Sequence, residues 1–262
     1  MPLLITPITS SEDASDNNKN VSSNSGVNID HVSAQDVCRR ALEHAVTVGE
    51  ITISGPNVFG SGTVLGSKDG TRYILTAHHV IEHLISEASD NGNNGKKSQY
   101  KDIPISKRLY NSNHEPIGKI YIYGTLIHFD KDLDLALVKL PELTKELNDL
   151  FVPCKLANEK YYPVIGDCVC HVGSFFGEAG AESVSLGHIS FVSRKLENKI
   201  YDQTTCPAMP GSSGGGVFNM KNEYIGMVVR GYNNNFILFT PTRVIYNWFK
   251  TIKFDQELKN ND

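Results

Sequence analysis

Short apolar segments separated by turn-forming residues make up most of this chain between positions 46 and 240. They are rich in β-branched and aromatic residues and are bounded by Gly, Pro, Asn, Asp or Ser, as expected of strands joined by tight turns. The pattern predicts an all-β fold. The segments are VTVGEITI, FGSGTVLG, YILTAHHVI, IGKIYIYGTLIHF, LDLALVKL, CVCHVGSFF, SVSLGHISFV, GGGVFN, YIGMVVRG and FILFT.

Helical periodicity occurs at two places, one before and one after these segments. The string SAQDVCRRALEHAV begins with Ser33 and Asp36 at the spacing of a capping box, which predicts a short helix packed on the β structure. The string TPTRVIYNWFKTIKF predicts a C-terminal helix with Thr242 as a candidate cap. Its apolar face consists of Val244, Ile245, Trp248, Phe249 and Ile252.

Two polar segments lack the apolar side chains whose burial offsets the entropy of ordering a chain. Residues 10–28 are rich in Ser, Asn and Asp, so we predict a disordered N-terminal tail over residues 1–32. The stretch SEASDNGNNGKKSQYKD, at residues 86–102, predicts a loop.

Composition and charge exclude several classes of function. The chain has 262 residues, of which 40% are hydrophobic, so it can bury a core. Its net charge of -4 leaves no basic surface to neutralise phosphates, which argues against nucleic-acid binding. No apolar run reaches the roughly 18 residues that span a bilayer, which argues against a membrane role. The opening MPLLITPITS lacks the features of a signal peptide.

The cysteines bear on the cellular compartment. There are five, an odd number, and Cys168 and Cys170 would point to the same side of one strand without being cross-strand partners. We therefore expect reduced thiols and an intracellular or otherwise reducing compartment.

The strongest chemical signal is PGSSGGG, with Ser213 as a candidate nucleophile. Glycines around a serine allow a sharp turn whose amides can point at a reacting carbonyl oxygen, although a flexible Gly/Ser turn without chemistry has the same composition.

A serine nucleophile needs a base and a group that orients the base. His79 lies where an apolar strand gives way to a turn, and Asp134 adjoins an apolar run. Taken separately, His79 fits a structural histidine and Asp134 fits a solvated charge. In the order His, Asp, Ser, with separations of 55 and 79 residues, they indicate a catalytic triad.

Three segments resemble the catalytic segments of chymotrypsin-like (trypsin-like) serine peptidases, especially the HtrA-like branch. They are GSGTVLGSKDGTRYILTAHHVI, DLDLALVKL and CPAMPGSSGGGVFNMKNEYIGMVVRG. The resemblance implies two six-stranded antiparallel β-barrels flanked by the two short helices. It also implies a serine endopeptidase that acts on a protein or peptide substrate without a metal or cofactor.

The resemblance assigns further roles to single residues. The oxyanion hole is formed by the amides of Gly211 and Ser213. The first specificity pocket has no acidic floor, so we expect cleavage after small or medium apolar residues. Arg230 leaves open a preference for acidic residues at a neighbouring subsite. The predicted substrate-binding residues are Pro207, Ala208, Met209, Val228, Val229, Arg230 and Gly231.

The resemblance also sets expected boundaries and marks departures from the family. Trypsin's disulfides are absent, Ser212 replaces the acid that accepts a newly cleaved N-terminus, and we expect no PDZ domain within this chain. Oligomeric state is left open. The predicted divisions are a peptidase domain at 33–254, with a first barrel at about 46–150, a second barrel at about 151–240 and a C-terminal helix at about 242–254, and a tail at 255–262.

Two other classes of function fit parts of the sequence. The string from His79 to His83 spells His-x-x-Glu-His, which on a long helix would bind zinc with Glu82 as the base of a metallopeptidase. A peptidase fold can also persist as a catalytically silent binding protein.

Overall fold

The computed structural model describes residues 33–49, 59–85, 102–113, 115–233 and 235–258. The predicted N-terminal tail and the loop at 86–101 lie outside the described residues. No helix among those described is long and apolar enough to cross a membrane.

Six antiparallel strands close into a first barrel in the order β1-β2-β3-β6-β5-β4. Pairing of β1 with β4 completes the ring. Its strands are β1 (Ala45–Gly49), β2 (Phe59–Gly66), β3 (Arg72–Thr76), β4 (Ile103–Tyr110), β5 (Pro116–Asp130) and β6 (Leu135–Lys139).

The remaining strands form a second sheet in the order β11-β8-β9-β10-β13-β12-β7. Because β11 also pairs with β12, the strands from β8 to β13 close into a second ring, and β7 adds to β12 in parallel. The all-β, double-barrel prediction is confirmed. These strands are β7 (Lys155–Leu156), β8 (Cys168–Phe175), β9 (Gly180–Leu196), β10 (Lys199–Thr204), β11 (Gly216–Asn219), β12 (Glu223–Asn233) and β13 (Phe236–Pro241).

Helices pack on the outside of the barrels. Helix α1 (Ala34–Glu43) is capped by the Ser33 hydroxyl, which accepts a hydrogen bond from the Asp36 amide, and it contacts β8, β9 and β11. Two shorter helices follow, α2 (His78–Ile81) and α3 (Lys145–Leu150).

The C-terminal helix α4 (Thr242–Thr251) packs on β12 and β13 through Ile245, Trp248 and Phe249. The cap prediction was wrong, since Thr242 is the first helical residue and Pro241 precedes it without a side-chain cap. Residues 255–258, expected to be part of a tail, instead return to the first barrel, where Leu258 bridges to Ser67.

A buried ion pair joins the two barrels. Lys107 of β4 donates to the carbonyls of Leu42 and Ala45 at 2.8 Å each, and its ammonium lies 3.6 Å from the carboxylate of Glu182 in β9. Burial lowers the pKa of Lys107 and raises that of Glu182, and their mutual attraction opposes both shifts. The pair ties the end of α1 and both barrels together.

Two buried histidines make stability depend on pH. His44 and His171 each bind a backbone carbonyl at 3.1 Å, and burial lowers the pKa of both to about 4. The unfolded chain binds protons at these histidines below about pH 6.5, while the folded protein stays unprotonated there until about pH 4. Stability is therefore lost as the pH falls through this window.

We predict that His171→Gln reduces this pH dependence. Between pH 7 and pH 5, wild-type protein should lose about 2 kcal/mol of unfolding free energy per buried histidine. Denaturant unfolding at both pH values should show a loss about 2 kcal/mol smaller in the variant. His128→Gln, at an exposed position, should follow the wild type. Identical pH dependence in all three proteins would contradict the prediction.

Candidate active site

His79 lies in the first barrel, where β3 gives way to helix α2. The carboxylate of Asp134 binds it twice. Oδ2 lies 2.7 Å from the ring Nδ1 of His79, and Oδ1 accepts a hydrogen bond of 2.9 Å from the His79 backbone amide. One side chain therefore fixes both the backbone position and the ring orientation of His79.

Asp134 reaches His79 from a tight turn that directly precedes β6. Its φ of 56° lies in the left-handed region, which aspartate tolerates better than most residues. The turn is held by the Asp130 carboxylate, which accepts from the Leu133 amide at 2.8 Å, and by the His78 amide, which donates to the Asp134 carbonyl at 3.3 Å. The turn directs the carboxylate toward His79 instead of leaving it among the nearby surface charges.

The neighbouring histidines are arranged differently from a zinc motif. His78 is buried with its ring centroid 5.1 Å from that of Phe129, and burial lowers its pKa. Helix α2 ends at Ile81, and a 3-10 turn at Glu82–Leu84 follows, so His79 and His83 do not share a long helix. The carboxylate of Glu82 lies 3.8 Å from the Lys131 ammonium. These contacts favour the serine-peptidase interpretation over the metallopeptidase one.

Ser213 lies in the second barrel, in the loop between β10 and β11, whose path requires two glycines. Gly211 and Gly214 have φ values of 94° and 87°. A Cβ on Gly211 would lie 2.2 Å from the Ser174 carbonyl oxygen, and one on Gly214 would lie 2.0 Å from that of Ser61. Both backbone conformation and space therefore exclude side chains on either side of the Ser212-Ser213 pair.

The peptide before Gly211 has a fixed direction. The Pro210 carbonyl accepts a hydrogen bond of 2.7 Å from the Phe176 amide. Because a trans peptide places its N–H opposite its C=O, the Gly211 amide points away from Phe176. Among the described residues, the amides of Gly211 and Ser213 donate to no backbone carbonyl. These two amides are thus candidate donors to an oxyanion.

Ser212 closes the turn that carries these amides. Its amide donates to the Met209 carbonyl at 2.9 Å, and its hydroxyl accepts from the Met209 amide at 3.0 Å. Ser212 therefore stabilises the turn through its own hydrogen bonds. In trypsin-like zymogens this position holds an acid, which stabilises the turn by pairing with a newly cleaved N-terminus.

A cleft of about 400 Å³ adjoins Ser213, and both apolar and polar residues line it. At its rim, Arg230 lies 3.4 Å from the exposed carboxylate of Glu197. Pro207, predicted to line this pocket, is not among its lining residues, and its carbonyl instead accepts from the Ser185 hydroxyl at 2.7 Å. The lining residues are Ala208, Met209, Pro210, Ser212, Ser213, Val228, Val229, Arg230, Gly231, Tyr232 and Ile237.

Sequence reasoning missed four of these lining residues, Pro210 and Ser212 beside the nucleophile and Tyr232 and Ile237 on neighbouring strands. Tyr232 follows Arg230 by two positions along β12, so strand periodicity was a signal for it. Ile237 lies on β13 opposite Gly231. That pairing places it in the cleft, and no local pattern predicts it.

Two β-barrels, with a His-Asp pair in the first and a glycine-flanked serine beside a cleft in the second, define the class of chymotrypsin-like serine peptidases. The family described as "Trypsin-like peptidase domain" matches residues 60–227, more than half of the chain. The chain therefore belongs to this family.

Curated relatives include bacterial serine endopeptidases. The chain is 33% identical over 174 residues to a probable periplasmic serine endoprotease DegP-like of Pseudomonas fulva, covering 64% of this chain and 28% of that protein. It is 26% identical over 196 residues to the glutamyl endopeptidase of Staphylococcus epidermidis, covering 73% of this chain and 61% of that protein. The chain thus spans less than a third of the length of the DegP-like relative.

Solved structures share the fold. The serine endoprotease from Yersinia pestis matches with a TM-score of 0.59 at 22% identity, covering 86% of this chain and 68% of that one. Deg5 matches with a TM-score of 0.57 at 20% identity, covering 81% of this chain and 90% of that one. Both matches support the double-barrel architecture.

The expectation of an intracellular or otherwise reducing compartment was wrong. It is contradicted by the relatives from Pseudomonas fulva and from Buchnera aphidicola, the latter 30% identical over 175 residues, which are both described as probable periplasmic serine endoproteases. All five cysteines are free thiols, as expected. However, burial raises the pKa of Cys154, Cys170 and Cys206, which suppresses the reactive thiolate. Buried thiols can stay reduced in either compartment, so the cysteine pattern did not determine the location.

Proposed function

We propose that His79, Asp134 and Ser213 form the catalytic triad of a serine endopeptidase that hydrolyses peptide bonds through an acyl-enzyme. The observation that carries the proposal is the pair of hydrogen bonds that the Asp134 carboxylate accepts from the backbone amide and the ring of His79. The position of Ser213 on the cleft gives the nucleophile access to a substrate.

The pairing with Asp134 assigns the proton positions of His79. A carboxylate can only accept, so Nδ1 carries the proton and Nε2 keeps its lone pair. In the proposed mechanism, Nε2 takes the proton of Ser213 as Oγ attacks the peptide carbonyl, and Asp134 stabilises the resulting imidazolium. His79 then protonates the leaving amine, and water hydrolyses the acyl-enzyme by the same route in reverse. These steps use protein groups and water alone.

The amides of Gly211 and Ser213 are the proposed oxyanion hole. Both amides donate to no backbone carbonyl among the described residues, which supports their role as donors to the developing charge. Prepositioned donors of this kind stabilise the transition state more than the ground state, because the negative charge on the oxygen appears only as the bond forms.

The cleft supports cleavage after small or medium apolar residues. Ala208, Met209 and Val228 contribute apolar surface, and the described lining contains no carboxylate. A lysine or arginine bound there would lose solvent without gaining a counter-charge, which costs several kcal/mol. Arg230 is at the rim, and its exposed pair with Glu197 is weak enough to be exchanged for a substrate carboxylate at a neighbouring subsite.

The first test of the mechanism is covalent labelling with a fluorophosphonate. Ser213→Ala should abolish labelling and lower kcat on the order of 10⁶-fold, because the nucleophile is lost. His83→Ala and a zinc chelator should leave both unchanged. Chelator-sensitive proteolysis would instead support the metallopeptidase interpretation. A wild-type protein that is neither labelled nor proteolytic would be a peptidase-fold binding protein.

Asp134→Asn should lower kcat by about 10⁴-fold while leaving the fold intact. The His79 backbone amide will hold the oxygen of the introduced carboxamide, so its NH₂ group faces Nδ1 and forces the ring proton onto Nε2. Asp132→Asn makes the same charge change at an exposed position in the same turn and should keep near wild-type activity. Steady-state kinetics of both variants test this prediction. An equal loss of kcat in the two variants would exclude the proposed role of Asp134.

Cleavage of a randomised peptide library should be dominated by Ala, Val, Leu or similar residues on the amino side of the cut. Acidic residues at a neighbouring position, if enriched, should lose that enrichment in Arg230→Gln. A profile dominated by Arg or Lys at the cleaved position would overturn the assignment of the cleft.

A further inference from the structure

Ser61 lies at the centre of the contact between the first barrel and the loop of Ser213. It belongs to β2 and is 1% exposed. Its amide donates to the carbonyl of Ser213 at 2.7 Å, and its hydroxyl donates to the carbonyl of Gly211, also at 2.7 Å. One residue of the first barrel therefore binds both residues whose amides form the proposed oxyanion hole.

The directions of the hydrogen bonds made by the Ser61 hydroxyl are fixed by its two partners. It accepts a hydrogen bond of 2.7 Å from the Ser174 amide, which leaves its own proton to be donated to the Gly211 carbonyl. Ser174 is in turn bound through its hydroxyl to that of Thr47 in β1, at 2.6 Å. The Ser61 hydroxyl is thus held by the backbone amide of Ser174, whereas Thr47 contacts only the side-chain hydroxyl of Ser174.

These contacts complete the restraint of Gly211. Its preceding peptide is held by Phe176 through the Pro210 carbonyl, and its following peptide is held by the Ser61 hydroxyl through its own carbonyl. Restraint on both sides keeps Gly211 at a φ of 94° and keeps its amide directed away from Phe176. Without the hydroxyl, the peptide after Gly211 would lose its hydrogen-bond partner in the first barrel.

We infer that Ser61 is a positioning residue for catalysis, whose hydroxyl holds the oxyanion-hole turn in its binding conformation. The inference rests on the proposed function. Because the Ser61 amide would still bind Ser213 in an alanine variant, loss of the hydroxyl affects the Gly211 half of the hole selectively. The nucleophile itself stays in place.

The test compares Ser61→Ala with Thr47→Val. Each variant removes one buried hydroxyl that contacts Ser174 and leaves a buried polar group unpaired. Both variants should therefore lower the unfolding temperature to a similar extent. Only Ser61→Ala should lower kcat, by about 10- to 100-fold, with KM changed less than about threefold, since removing an oxyanion donor outright costs about 10²–10³-fold. Kinetics use the best fluorogenic peptide from the library profile.

A tetrahedral adduct provides a second readout that a merely structural role would not move. The affinity of a peptide boronic acid should fall in Ser61→Ala by the same factor as kcat, and should be unchanged in Thr47→Val. Ser61→Thr, which keeps the hydroxyl, should recover most of the kcat. If Ser61→Ala is too unstable to assay, Ser61→Cys should show the same split between kcat and KM.

Equal kcat in Ser61→Ala and Thr47→Val would overturn the inference, as would an equal loss of kcat in Ser61→Thr and Ser61→Ala. A wild-type protein that neither hydrolyses the peptide nor binds the boronic acid would instead refute the proposed function, and the inference with it.

Discussion

The candidate catalytic residues lie on two different barrels, so the site depends on how the barrels are held together. His79 and Asp134 belong to the first barrel, and Ser213 belongs to the second. The most direct link is the close approach of β2 to the serine loop, where the Ser61 carbonyl would lie 2.0 Å from a Cβ on Gly214. This approach is possible because Gly214 has no side chain. The buried pair of Lys107 and Glu182 adds a second link, away from the nucleophile.

The contact between the barrels explains why several hydroxyl, amide and carbonyl groups are buried there. Carbonyls of a loop that must stay irregular cannot be satisfied by a sheet, so they need donors from elsewhere. The first barrel supplies those donors through Ser61, and the residue that follows β8 supplies one through the Phe176 amide. In the peptide held by Phe176, the Gly211 amide donates to no backbone carbonyl among the described residues, whereas the Ser212 and Gly214 amides, in the peptides held by Ser61, donate to Met209 and Val228. Stability and the proposed catalysis thus draw on the same hydrogen bonds.

Much of the fold was predictable because its strands carry local signals. The segment FGSGTVLG coincides with β2, and YIGMVVRG lies within β12. Strands β4 and β10 were missed because some of their buried positions are polar. Lys107 of β4 is paired with Glu182, and Asp202 of β10 is 0% exposed and bound by Arg243 of α4 at 2.6 Å. Their partners are distant in the chain, so the pattern of either strand alone resembles a loop.

In the candidate site too, contacts between residues distant in the chain could not be predicted from local patterns. Short motifs identified His79, Asp134 and Ser213 because each chemistry-bearing residue stands within its own recognisable segment. Ser61 also lies in a recognised segment, GSGTVLG, but its contacts with Gly211 and Ser174 cross 150 and 113 positions. Strand pairing also decides which residues line the cleft. It places Ile237 there and leaves Pro207 outside the lining.

The central claim is that His79, Ser213 and the amides of Gly211 and Ser213 act on one carbonyl group. A crystal structure of the protein inactivated by a peptidyl phosphonate tests it most directly. We expect a covalent bond from phosphorus to Ser213 Oγ, and a phosphoryl oxygen about 3 Å from both amide nitrogens, with His79 still bound to Asp134. A phosphonate attached to another residue, or a phosphoryl oxygen directed away from both amides, would contradict it.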